Sequence, residues 1–150
     1  MSGFAPLTTQ GQLNRVLTHI VVPGFPQLSV TAPYMSKSLA LLSFDGPFVD
    51  QIGTATGIVN SPVPFVMGQI VVNLLRSQSL SSLWIAQVQV ASIIGTVVAY
   101  PDSTVFPAIP LSNCSIIDVD PGAYDGADPT TKITMKGVFY TNADLWSGLG

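Results

Sequence analysis

The alternation of apolar and polar positions along this chain is mostly that of strands. From Gln69 to Leu75, Ile70, Val72 and Leu74 fall on one face. From Lys132 to Thr141 the pattern is cleanest, with Ile133, Met135 and Phe139 on one side and Lys132, Thr134, Lys136 and Tyr140 on the other. Tyr34 to Phe44 is apolar on both faces, Leu39 and Leu41 against Ala40, Leu42 and Phe44, so both faces should be covered. Thr96–Tyr100, Val105–Leu111 and Asn113–Val119 are shorter strand candidates. Val16–Val30 reads as two short extended pieces, broken by Pro23, Gly24 and Pro26.

One segment has helical spacing. Leu80, Trp84, Val88 and Ala91 recur at three and four, with Leu83 beside them. Ser77 or Ser79 could cap its start and Gly95 could stop it, which gives a helix over residues 79–94. A strand competes there, because Ala86, Val88 and Val90 alternate with Gln87 and Gln89. Residues 45–64 (DGPFVDQIGTATGIVNSPVP) have the turn chemistry of a long loop, yet they carry Phe48, Val49, Ile52, Ile58 and Val59. A solvated loop has little use for five large apolar side chains; the alternative is an extra hairpin folded over the core. Residues 1–15 read as an extended arm. The expected fold is therefore one mainly-β domain, a β-sandwich or open barrel with one flanking α-helix.

Charge changes the picture more than any motif. Thirteen of 150 residues are charged, 9% against about 25% in an average soluble domain. A monomer of this mass exposes roughly 7,000 Å², which leaves about one charge per 500 Å². No continuous apolar segment of membrane-spanning length excuses the deficit. A surface so poor in charge reads as one covered by other subunits. All eight acids are Asp and none is Glu, which argues against many solvated helix faces. Five scattered bases cannot form a nucleic-acid-gripping patch.

Candidate chemistry is sparse. His19 is the only histidine and lies among Leu17, Ile20 and Val21, as a packed residue would. There is no phosphate loop, dinucleotide fingerprint, nucleophile elbow or paired-histidine metal motif, so no catalytic residue, metal or cofactor is expected. Cys114 stands alone, which excludes an internal disulfide. Asn113-Cys114-Ser115 matches a glycosylation sequon, but the N-terminus has no signal-peptide pattern. Asp118–Asp128 (DVDPGAYDGAD) is the densest polar feature. It reads as a turn-rich loop, with a calcium site or a polyanion-repelling patch as alternatives.

The order SPVPFVMGQIVVNLLRSQSLSSLW, then YPDSTVFPAIPLSNCSIIDV, then YDGADPTTKITMKGVFYTNADLW resembles the tail tube proteins of tailed bacteriophages, particularly those with contractile tails. The resemblance covers about two thirds of the chain. It implies a β-sandwich with a flanking helix, hexameric rings whose inner sheets join into one barrel, and stacking of rings into a tube through which DNA is ejected. It implies a structural virion protein with no enzymatic activity, assembled in the host cytoplasm. Its partners would be further copies of itself and tail sheath, neck and baseplate proteins, with DNA passing through unbound. Phe48, Ile52, Ile58 and Val59 are then candidates for ring stacking, and Asp118 and Asp120, which share a strand face, for the channel lining. A secretion-system tube protein and a β-sandwich binding module are the alternative readings.

Overall fold

The computed structural model describes residues 10–147. Nine strands follow in order: β1 (His19–Val21), β2 (Val30–Thr31), β3 (Met35–Phe44), β4 (Val49–Gly53), β5 (Ile58–Pro62), β6 (Phe65–Leu75), β7 (Ile93–Tyr100), β8 (Ile109–Asp120) and β9 (Thr130–Tyr140). Helix α1 (Ser79–Val90) separates β6 from β7, and a short α2 (Ala143–Ser147) follows β9. Seven strands form one antiparallel sheet in the order β2-β1-β7-β8-β9-β6-β3. That sheet curls into a nearly closed barrel, so the architecture is the open barrel of the two expected forms rather than a two-sheet sandwich. The first nine residues of the expected arm lie outside the described residues; Gln10–Asn14 are exposed and lie in no helix or strand.

The expected alternations are realised in the long strands. Val66, Gly68, Ile70, Val72 and Leu74 of β6 face the core, and so do Thr131, Ile133, Met135 and Gly137 of β9. Ala40, Leu42 and Phe44 pair with Val72, Ile70 and Gly68 on the same side. Leu41 and Ser43 point outward and are exposed. The expectation that both faces of this strand are covered is therefore not met within a single copy.

Three boundaries move. Two expected strands over 105–119 are a single 12-residue strand, β8. Asn113 sits inside it at φ 55°, so the turn-like residue makes a bulge instead of a break. Helix α1 ends at Val90 rather than 94. Gly95, expected to stop the helix, lies in β7 at φ 79° between two register shifts, where it bends the strand. Neither Ser77 nor Ser79 caps the helix: Gln78 holds the N-cap position, and Ser81 Oγ and Ser82 Oγ donate back to the Gln78 and Ser79 carbonyls. Leu80 and Trp84 bury the helix against the sheet and the Pro26–Leu28 turn, with Val88 half-buried. Leu83 and Ala91 of the expected stripe are exposed.

Curling depends on a pair of glycines. Gly68 and Gly137 face one another across β6 and β9 on the core side. A Cβ at Gly68 would come within 2.7 Å of Leu111 Cδ2, and one at Gly137 within 2.3 Å of Cys114 Sγ and 3.0 Å of the Ser112 carbonyl. The bulge in β8 puts Leu111 and Cys114, three residues apart, on the same inner side, and the missing Cβ atoms give them room. Gly137→Ala should destabilise the fold by about 1–3 kcal/mol through overpacking. Gly46→Ala, with nothing within 4 Å, should be close to neutral; urea unfolding of the two variants tests the contrast.

Burial also raises the Cys114 thiol from its ordinary 9.0 to about 11. Between those values the unfolded chain has lost the proton that the native state still holds, so stability should fall as pH rises from 9 to 11. Urea midpoints across that range should decline more steeply for the wild type than for Cys114→Ala.

Candidate functional site: an exposed hairpin and a braced acidic loop

The expected loop over 45–64 is an antiparallel hairpin, β4 with β5, forming a two-stranded sheet of its own. Rather than folding over the core, every residue of both strands is exposed. Thr54 closes the turn: its N–H and its hydroxyl both donate to the Gly57 carbonyl, and its Oγ1 accepts from Gly57 N–H. Gln51 donates to Asn60 across the strands at 3.3 Å.

The pairing sorts the four stacking candidates. Ile52 and Val59 are directly opposite one another, so they form one apolar step on one face. Ile58 pairs with Gly53 and lies on the other face. Phe48 sits at the root, edge-on to Phe44 at 5.6 Å.

The root is held by a residue that sequence reasoning passed over. Asn142, at φ 49°, donates through Nδ2 to the carbonyls of Phe48 (3.0 Å) and Val63 (2.7 Å). The neighbouring Thr141 hydroxyl also donates to Val63 O, at 2.6 Å. The only sequence signal was an Asn just beyond a strand, a residue type that tolerates the left-handed region. Beside this root, Phe65 pairs with Tyr140, and Tyr140 meets Trp146 edge-on at 5.9 Å. All three aromatics are exposed.

The acidic loop lies at the other end of the same strands. Arg76, just past β6, donates to four backbone carbonyls: Pro121 and Thr130 through Nη1, and Ala123 and Asp128 through Nη2. The Tyr124 ring lies 5.2 Å from its guanidinium carbon. Three of the loop carboxylates cap backbone N–H groups: Asp120 to Gly122, Asp125 to Ala127 and Asp128, and Asp128 to Thr130. The Asp125 carboxyl is held below its usual range by the Ala127 and Asp128 N–H groups. Gly122, at φ 82°, has Thr130 O within 2.5 Å of where a Cβ would stand. The loop is thus turn geometry gathered around a cation supplied by the chain. Among the described residues, no three His, Cys, Asp or Glu side chains are grouped to hold a metal ion.

Asp118 and Asp120 do share an exposed face. They pair with Thr134 and Lys132, so that face also carries Lys132 and Lys136, the latter bridged to Asp45. The face is mixed in charge rather than acidic. His19 is engaged structurally: its Nδ1 meets the Leu17 carbonyl at 2.6 Å and its ring stacks on Tyr100 at 4.2 Å. No family model matches the chain, and no curated protein sequence is detectably similar to it.

Replacing Arg76 with Lys should free most of the loop carbonyls, because an ammonium cannot reproduce a planar fork. The expected cost is about 1–3 kcal/mol, since charged hydrogen bonds are lost at a partly exposed site. Limited proteolysis should then cut within 121–129 in Arg76→Lys and spare the wild type.

Proposed function

We propose that this chain is a structural tube subunit of a phage tail, assembling as stacked hexameric rings and performing no chemistry of its own. The observation that carries the reading is the β4–β5 hairpin. An isolated two-stranded hairpin is at best marginally stable in water. This one is exposed along its whole length and still presents Val49, Ile52, Ile58 and Val59. Such a projection makes physical sense where a second surface covers it, and burial of each aliphatic side chain would contribute about 1.5–3 kcal/mol.

Two further features agree with this reading. The sheet face formed by β3, β6, β9 and β8 carries charges of both signs in near balance, as suits a channel through which a polyanion passes without sticking. The exposed aromatics at the hairpin root extend the apolar surface on the same end of the barrel. Within that assembly Ile52 and Val59 are the stacking anchors, Phe48 is the root, and Asp118 and Asp120 belong to the channel-facing set. Partners are neighbouring copies, with sheath, neck and baseplate proteins at the outer wall and the ends.

Purified protein should form rings and tubes by negative-stain microscopy and mass photometry. The double variant Ile52→Asp/Val59→Asp should keep the wild-type circular dichroism spectrum and lose the tubes. A wild-type chain that stays monomeric at every salt and protein concentration would overturn the proposal.

A further inference from the structure

Strand β3 does not follow β6 evenly. Met35 pairs with Leu74 and Ala40 with Val72, so residues 36–39 stand opposite the single Asn73 and the strand bulges. Ser36 Oγ meets Thr130 Oγ1 at 2.6 Å, which ties the start of the bulge to the end of the acidic loop. Between the bulge and residues 128–130 is a groove of about 540 Å³. Leu39, Leu75 and Pro129 give it an apolar lining, and Arg15 and Lys37 border it. Among the described residues neither cation is paired with a carboxylate. Asp128 also borders the groove, but its carboxylate already accepts from the Thr130 N–H at 3.0 Å.

The exposed hairpin has matching chemistry. Its pairing puts Asp50, Ile52, Val59 and Ser61 on one face. Asp50 is the only charged residue of β4 and β5 and has no ion-pair partner among the described residues. One face thus offers two aliphatic side chains and a carboxylate; the groove offers an apolar lining and two cations. The two cannot meet within one copy. The hairpin leads into the start of β6 and the groove lies at its end, about 33 Å away at strand rise, whereas the five-residue hairpin strands reach roughly 17 Å. A hairpin in the groove must come from a second copy.

We propose that the groove between the β3 bulge and residues 128–130 is the acceptor for the hairpin of the next copy. Ile52 and Val59 pack on Leu39, Leu75 and Pro129, and Asp50 lies against Lys37 and Arg15. The inference rests on the reading of the hairpin as a stacking element and adds the surface that receives it. The charges fix the register of docking, because a hairpin entering with its other face would leave both cations unpaired.

Assembly of the full chain, followed by mass photometry and negative-stain microscopy, tests it. Asp50→Lys should raise the concentration needed for assembly at least about tenfold, and so should Arg15→Asp/Lys37→Asp. Combining the three substitutions in one chain should restore assembly, with the wild-type circular dichroism spectrum kept throughout. A second readout mixes Ile52→Cys chains with Leu39→Cys chains. Cys114 is buried and takes no part. Oxidation of the assembled mixture should give a disulfide-linked dimer that neither chain gives alone. Wild-type tubes together with charge variants that assemble just as readily, or with no cross-link from the mixture, overturn the acceptor and leave the stacking reading standing. A wild-type chain that stays monomeric overturns both.

Discussion

The close approach of β8 to the Gly68–Gly137 pair is the constraint on which the rest of the structure depends. A sheet of seven strands must curl to bury one face, and curling needs places where backbones come nearer than side chains allow. Here the two glycines face one another across β6 and β9, and β8 lowers Leu111 and Cys114 into the space they leave. The bulge at Asn113 makes that possible by turning two residues three apart to the same side. Without it, one residue of the pair would point outward and the barrel would open along β8. The raised Cys114 thiol follows from the same packing, since the sulfur that fills the gap is removed from water.

The core is formed without the hairpin, and that isolates the hairpin as a separate problem. Its root is fastened to the barrel through Asn142 and Thr141, but its strands contribute nothing to the buried core. The chain thus maintains an apolar projection that its own folding does not use. Combined with thirteen charges in 150 residues, this is the strongest physical argument for coverage by another molecule. The proposed tube assembly would be one specific way to cover it.

The long strands were legible because a period of two survives in β6 and β9 with almost no exceptions. Local signals misled where tertiary context gave a familiar residue another task. Gly95 has the chemistry of a helix stop but bends β7, and Asn113 has that of a turn but bulges β8. Residues 45–64 were legible as an apolar anomaly, with a hairpin folded over the core as the alternative to a long loop; the structure has the hairpin but not the folding over the core, and Pro62 is tolerated at the end of an edge strand with no third strand beside it. Of the candidate residues, Ile52 and Val59 are brought together and Ile58 is not, a distinction that depends on register and so could not be read before the turn was known. Arg76 and Asn142 were missed for a related reason. Each acts on backbone carbonyls distant in sequence, and carbonyls leave no pattern in side-chain chemistry.

The placement of these features along the strands gives a subunit polarity. The hairpin and its aromatic surroundings lie where β6 begins and β9 ends; the Arg76-braced loop lies where β6 ends and β9 begins. Eleven paired residues separate the two, about 33 Å at strand rise. In the proposed stack, contact between these unlike ends would be heterologous, hairpin end to loop end, and would leave a free end of each kind for the next copy. Such a stack would set the Arg76-braced loop, rather than a second hairpin, opposite the hairpin of the next copy. Between the ends, Asp45, Asp118 and Asp120 oppose Lys132 and Lys136 on one face, three carboxylates against two ammonium groups. A face so nearly neutral holds a phosphate backbone weakly and repels it weakly. If this face lines the channel, DNA passage would rest on the balance of its charges rather than on a surplus of acid.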